Sequence, residues 1–234
     1  MSFSARLLSD LISVEAGATV PLSLEIINKD AAKDSLEIQI EGLDPEWTAI
    51  PVPVLNAESN ETITEKIFFK PPRASESLAG NYPFVLKVRS LESGESKALQ
   101  GILQIKTFHH LSMEILPKKG SVTPLRKVET FTLTVMNLGN TEHTLQLFGS
   151  DPEDTCAFEF EQDQVTIGPG HQKNIEVDVR ATSSRIVSGS RLTGFSVSGR
   201  SIESPSLLTT AQAQLEQRPL LTPASIVALL LFIV

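Results

Sequence analysis

The sequence is poor in the residues that most often carry chemistry. It has one cysteine, one tryptophan and one tyrosine among 234 residues. One thiol cannot close an internal disulfide or furnish a cysteine-rich zinc site. A carbohydrate platform built from stacked aromatic rings has few rings to draw on. Positive charge is also short, with 20 Lys and Arg against 28 Asp and Glu and a formal charge of −8. That balance excludes a nucleic-acid binder, which needs a basic face to neutralise phosphates. The N-terminal stretch MSFSARLLSDLISVEAG has one arginine and no apolar run of the length a secretory signal requires, so no signal peptide is expected. G-x-S-x-G, H-E-x-x-H and Walker-loop motifs are all missing, and no nucleophile stands beside a base in the sequence.

What is present is alternation. In TVPLSLEIIN (19–28), Val20, Leu22, Leu24 and Ile26 fall on one face, and in ETFTLTVMN (129–137) Phe131, Leu133 and Val135 do the same. A period of two predicts half-buried strands. The two segments match with Asn28 over Asn137, an offset of 109 residues. The match continues in order along the chain. LEIQIEGLDPE (36–46) answers HTLQLFGSDPE (143–153), and TEKIFFK (64–70) answers NIEVDVR (174–180). YPFVLKVRS (82–90) answers TGFSVSGRS (193–201), placing Phe84 over Phe195. Trp47 is expected over Cys156 on the same offset. This internal repeat predicts two antiparallel sandwiches of about seven strands, with Gly- and Pro-bearing turns at 15–18, 42–46 and 167–171. ARLLSDLI (5–12) is read as a first strand interrupted near Ser9-Asp10, with a short helix as the alternative. The expected division is 1–108 for the first sandwich and 109–215 for the second. A juxtamembrane segment and the start of a transmembrane helix follow at 216–234.

The last expectation rests on the final stretch LLTPASIVALLLFIV. Its nine apolar residues from Ile226 to Val234 are about half of what a spanning helix needs. Arg218 ahead of the run, with no signal peptide, predicts soluble domains on the cytoplasmic side of a single-pass membrane protein.

The aligned residues also carry a resemblance. FFKPPRASESLAGNYPFVLKVRS (68–90), NLGNTEHTLQL (137–147) and QRPLLTP (217–223) look like segments of bacterial tandem Ig-like-domain membrane proteins. These are similar to the Ig-like module associated with alpha-galactosidases and to CARDB-type domains. The resemblance implies fold and architecture rather than activity, and a chain that continues past its span. The sequence departs from it at Ala181-Thr182, where the first repeat has Pro71-Pro72.

Candidate chemistry was weighed against plainer roles. His109-His110 offers two imidazoles for a metal, but neighbours on a strand point to opposite faces, so an exposed pair between the domains is expected. The acids Asp44, Glu46, Asp151, Glu153 and Asp154 offer carboxylates for calcium, but too few per turn for its usual six or more oxygens, so solvated turn acids are expected. PKKGSVTPLRK (117–127) is a basic patch that suits anionic headgroups or a solvated loop, and the loop is preferred. Asn60-Glu61-Thr62 fits a glycosylation sequon. Cys156 reads as a small buried hydrophobe rather than a nucleophile. Catalytic residues, cofactors and metal ligands are therefore all expected to be none. The functional expectation is a non-enzymatic, membrane-tethered scaffold or protein-binding module. Its partners are the membrane, through the C-terminal helix, and a protein the sequence does not name, with no nucleic acid. The alternative is a carbohydrate-associated accessory module of a cell-surface hydrolase.

Overall fold

The computed structural model describes residues 2–183 and 189–220. The chain divides into two compact units, Met1–Phe108 and His109–Val234.

Alternating sequence becomes strand throughout unit 1. Its strands are β1 (Phe3–Leu7), β2 (Leu11–Val14), β3 (Val20–Asn28), β4 (Asp34–Glu41), β5 (Thr48–Ala49), β6 (Val54–Ala57), β7 (Thr62–Phe69), β8 (Gly80–Ser90) and β9 (Ser96–Ile105). They form one sheet in the order β1-β3-β7-β5 and a second in the order β2-β9-β8-β4-β6. The apolar faces meet in one core: Leu22, Leu24, Ile26, Ile67 and Phe69 from the first sheet pack with Leu36, Phe84, Leu86 and Leu103 from the second. The Phe69 and Phe84 rings lie 5.2 Å apart at a tilt. Gly101, opposite Phe84 in the ladder, admits that ring; a Cβ there would collide with it.

The expected break at Ser9-Asp10 is real and has a purpose. β1 pairs antiparallel with β3, while β2 pairs parallel with β9. The chain changes sheets at the break, so one segment closes an edge of both.

Unit 2 repeats the plan with β10 (Leu111–Leu116), β11 (Lys119–Val122), β12 (Val128–Asn137), β13 (His143–Ser150), β14 (Cys156–Phe160), β15 (Gln164–Ile167), β16 (Gln172–Ala181), β17 (Arg191–Ser201) and β18 (Leu208–Gln217). The sheets run β10-β12-β16-β14 and β11-β18-β17-β13-β15. Here Pro117, with no N–H to give to a ladder, stands at the sheet switch between β10 and β11. Phe131 and Phe195 meet edge to face at 5.1 Å in the core.

The central pairs, β3-β7 against β4-β8-β9, reproduce the B-E and C-F-G arrangement of immunoglobulin sandwiches. The edges differ. After β4 the chain first crosses to pair β5 with β7, then returns to pair β6 with β4. β14 and β15 make the same excursion in unit 2. The first excursion was not visible as alternation, because β5 is two residues long.

No helix among the described residues is long and apolar enough to cross a membrane. The expected span at Ile226–Val234 lies outside the described residues.

Candidate functional site

Each unit holds polar groups inside its apolar core, and these are the places to look for chemistry. The first is an asparagine at the end of β3 and of β12. In unit 1, Asn28 Nδ2 donates to the carbonyls of Ala32 (2.9 Å) and Ala57 (3.0 Å), and its Oδ1 accepts from the Asp30 N–H (2.9 Å). In unit 2, Asn137 Nδ2 donates to Thr141 O (2.7 Å) and Ile167 O (3.0 Å), and its Oδ1 accepts from Gly139 N–H (3.0 Å). Both are fully buried. An amide is the side chain that satisfies carbonyls and an N–H together, so these residues pin a turn to an edge strand.

The second is a polar pair at the start of β4 and of β13, and here the units diverge. In unit 1, Ser90 Oγ donates to Asp34 Oδ1 at 2.9 Å. In unit 2, the same first-of-strand position is His143, 2% exposed, with Nδ1 2.9 Å from Ser201 Oγ. Ser201 Oγ donates to Glu203 at 3.1 Å. The hydroxyl proton therefore goes to the carboxylate, and Ser201 accepts from His143 Nδ1–H. That assigns the tautomer and leaves the Nε2 lone pair facing His109 Nδ1 (3.0 Å) and Thr141 Oγ1 (3.2 Å). Burial, then the charge of His109, lowers the His143 pKa against the opposing pull of Glu203. Burial works to raise Glu203, but bonds from Thr144 N–H and neighbouring groups outweigh it and hold the carboxyl at about 2. His143 is thus a neutral imidazole beside an ionised carboxylate.

The sequence reading of His109 as exposed holds, but its partner His143 was missed. The available signal was a polar residue matching Asp34 at an inward position of the repeat. The two rings meet nitrogen to nitrogen at 3.0 Å with centroids 5.0 Å apart, the geometry of a hydrogen bond between them. Among the described residues no three His, Cys, Asp or Glu side chains gather in a way that could bind a metal.

The remaining candidates are engaged structurally. Asp151 Oδ1 accepts from the N–H groups of Glu153 (3.1 Å) and Thr155 (3.0 Å), and Oδ2 from Cys156 N–H (2.9 Å). Asp44 Oδ1 accepts from Glu46 N–H at 2.9 Å. Glu153 forms an ion pair with Arg191. These carboxylates cap turns and do not converge. In the basic stretch, Lys118 pairs with Glu114 (3.5 Å), Lys119 with Glu216 (3.0 Å) and Arg126 with Glu129 (2.6 Å). Asn60 sits exposed in a left-handed turn position.

Cys156 is 5% exposed, and burial, then the Asp151 charge, pushes its thiol up to about 11. It stays protonated and unreactive at neutral pH. Trp47 is buried too, at 9% exposure, but the two do not share a position. Trp47 O accepts from Lys70 N–H, whereas Cys156 lies opposite Ala181. Lys70 corresponds to Arg180 in the repeat, and Arg180 faces Ala157. The expected pairing is therefore one residue out, because the turn after Asp151 is longer than the turn after Asp44. Trp47 also meets the single tyrosine, Tyr82, edge to face at 5.4 Å. The tryptophan that would best serve a sugar platform is inside unit 1.

No protein-family model and no curated protein sequence matches the chain. Solved structures give fold-level likenesses. The D00-D0 domain of intimin aligns over 91% of this chain and 98% of its own at 9% identity and a TM-score of 0.42. A protein of unknown function from Porphyromonas gingivalis W83 aligns over 92% and 99% at 12% identity and a TM-score of 0.32. The CupB2 chaperone of Pseudomonas aeruginosa aligns over 89% and 99% at 11% identity and a TM-score of 0.32. None of these superpositions is close enough to carry an argument about this chain.

Proposed function

We propose that the chain is a non-enzymatic scaffold: two Ig-like sandwiches, moored to a membrane through the apolar run at 226–234, that offer loops or strand edges to a protein partner. The observation that carries it is where the reactive groups sit. His143 and Asp151 are tied into hydrogen-bond networks that hold turns in place, and the Cys156 thiol is buried in the apolar core. A nucleophile or general base must present its lone pair to a substrate, and here those lone pairs face the protein. The membrane reading draws its support from the composition of the run alone, which has no charge and suits lipid. It extends to the resemblance with bacterial tandem Ig-like-domain membrane proteins and to the cytoplasmic placement of the domains.

Two measurements test this. The full chain should float with phosphatidylcholine vesicles on a density gradient and resist extraction by high salt; a chain left at the bottom removes the tether. Esterase, peptidase and glycosidase substrates should show no turnover. Turnover abolished by a single substitution at His143 or Cys156 would replace the scaffold with an enzyme.

A further inference from the structure

The strand ends of unit 2 sort its surface into two faces. β10 begins, β12 ends, β13 begins and β17 ends at the face that holds Asn137 and His143. At the opposite face β11 ends at Val122, β12 begins at Val128, β16 ends at Ala181, β17 begins at Arg191 and β18 ends at Gln217. The chain leaves from this second face. Its departure is fixed: the Arg218 N–H donates to Val122 O at 2.8 Å, which holds the outgoing segment against the 123–127 turn.

That turn is closed and stiff. Thr123 N–H donates to Arg126 O (2.8 Å), and Arg126 N–H to Thr123 Oγ1 (3.0 Å). Pro124 fixes one further dihedral. The turn presents Leu125 at its tip, 84% exposed, the most exposed large hydrophobic side chain among the described residues. Leu192 and Leu220, 51% and 45% exposed, belong to the same face. Around them stand Arg126, Lys127, Arg191 and Arg218. Three of these are ion-paired with Glu129, Glu153 and Glu216. Lys127 forms no ion pair among the described residues. The face is aliphatic at its tip and nearly balanced in charge.

Resting on the tethered reading, we propose that this exit face of unit 2 lies on the lipid surface, with Leu125 inserted at the headgroup boundary. Reach supports it. Ile226 follows Arg218 by eight residues, and fully extended chain covers at most about 3.6 Å per residue. The face is thus held within about 30 Å of the start of the apolar run even at full stretch. An aliphatic tip on a rigid turn held this close to lipid gains by leaving water. The charge balance makes the contact depend on apolar insertion more than on anionic lipid.

The test uses the full chain in phosphatidylcholine vesicles, in a Cys156→Ala background, with an environment-sensitive fluorophore at Leu125→Cys or at Leu138→Cys. Leu138 is an exposed leucine on the opposite face of unit 2, so it serves as a matched control. The label at 125 should shift to the blue and be quenched by lipids carrying a bromine or nitroxide near the headgroup. The label at 138 should do neither. Chain that floats with the vesicles but shows no lipid quenching at 125 overturns this inference and leaves the tether standing. A blue shift at 125 without lipid quenching means burial against another copy of the chain, and also overturns it. Chain that does not float at all overturns the tethered reading, and the inference falls with it.

Discussion

Unit 1 buries an aspartate where unit 2 buries a histidine. Asp34 and His143 both open the strand after the asparagine turn, both are nearly inaccessible, and both hydrogen-bond a serine near the end of the strand beside them. The Asp34 side chain only accepts, and Ser90 donates to its Oδ1. An imidazole has two nitrogens of opposite character, so unit 2 needs more: Ser201 and Glu203 on one side, His109 and Thr141 on the other. One substitution in the repeat thereby recruits a second histidine from the residue that opens unit 2. The comparison teaches that the repeat conserves the hydrogen-bonded position rather than the chemistry that fills it.

The largest expected effects test whether the two cores are equivalent and separate. Phe84→Ala and Phe195→Ala each remove a buried ring from a packed aromatic pair. Each should cost about 3–5 kcal/mol in its own unit. Hydrogen exchange resolved by residue would show it, with protection falling in β8 and β9 for the first variant and in β17 and β18 for the second. Loss of protection spread equally over both units in either variant would mean that they do not unfold as separate cores.

Next come the asparagines. Asn28→Ala leaves the carbonyls of Ala32 and Ala57 without their donor, and Asn137→Ala does the same to Thr141 and Ile167. A buried group left unsatisfied costs about 1–3 kcal/mol. Each variant should therefore lose about 3 kcal/mol in denaturant unfolding. A cost near zero in one and not the other would break the equivalence of the two turns.

The histidine gives a smaller effect with a distinctive sign. The His143 pKa is lowered in the folded protein from its ordinary 6.5. Above pH 6.5 both folded and unfolded chains carry a neutral imidazole, and stability does not change on its account. Between 6.5 and the depressed folded value, the unfolded chain binds a proton that the folded chain refuses. Unit 2 should therefore lose stability as pH falls through that window. Unit 1 has no buried histidine and should not share the loss. Glu203, lowered to about 2 from 4.5, adds a separate loss between those values. Replacing His143 with asparagine should abolish the first window and keep the second. An unchanged pH profile in that variant would assign the effect to another group.

How much of this was legible beforehand follows from what alternation encodes. A period of two gives a strand and its inward face, and so β3 and β12 were readable, as were Asn28, Asn137, Phe84 and Phe195 as matched positions. Alternation does not encode which sheet a strand joins. The crossing of β5 and β14 to the opposite sheet was invisible for that reason, and so was the functional meaning of Ser9-Asp10. His143 was hidden because its partners lie 34 and 58 residues away and only folding brings them together. A single offset also fails wherever one turn outgrows the other. Asp44 to Asp151 is 107 residues, while Lys70 to Arg180 is 110. The extra length lies in the turn around Asp154, which takes a left-handed conformation at φ 53°.

The last prediction uses that turn, through Trp47 and Cys156. Both close the same corner of their sandwich, but one does so with an indole and the other with a thiol one register position away. The thiol fills far less space, and Phe158 supplies the ring instead, packing at 5.5 Å from Phe195. Removing the sulfur should therefore matter little: Cys156→Ala should cost about 1 kcal/mol, roughly one buried methylene-sized group. In the native protein at neutral pH, a maleimide or disulfide reagent should react with Cys156 far more slowly than with unfolded chain. Two causes act together there, since the thiol is covered and its pKa is held at about 11, so thiolate is scarce. Raising the pH from neutral toward 9 should speed labelling by about tenfold per unit without levelling off, because the whole interval lies below a pKa of about 11. A rate that levels off as the pH nears 9, or native labelling as fast as that of unfolded chain, would mean an accessible thiol with an ordinary pKa, and β14 would then sit one residue out of the register with Ala181 on which the comparison with Trp47 depends.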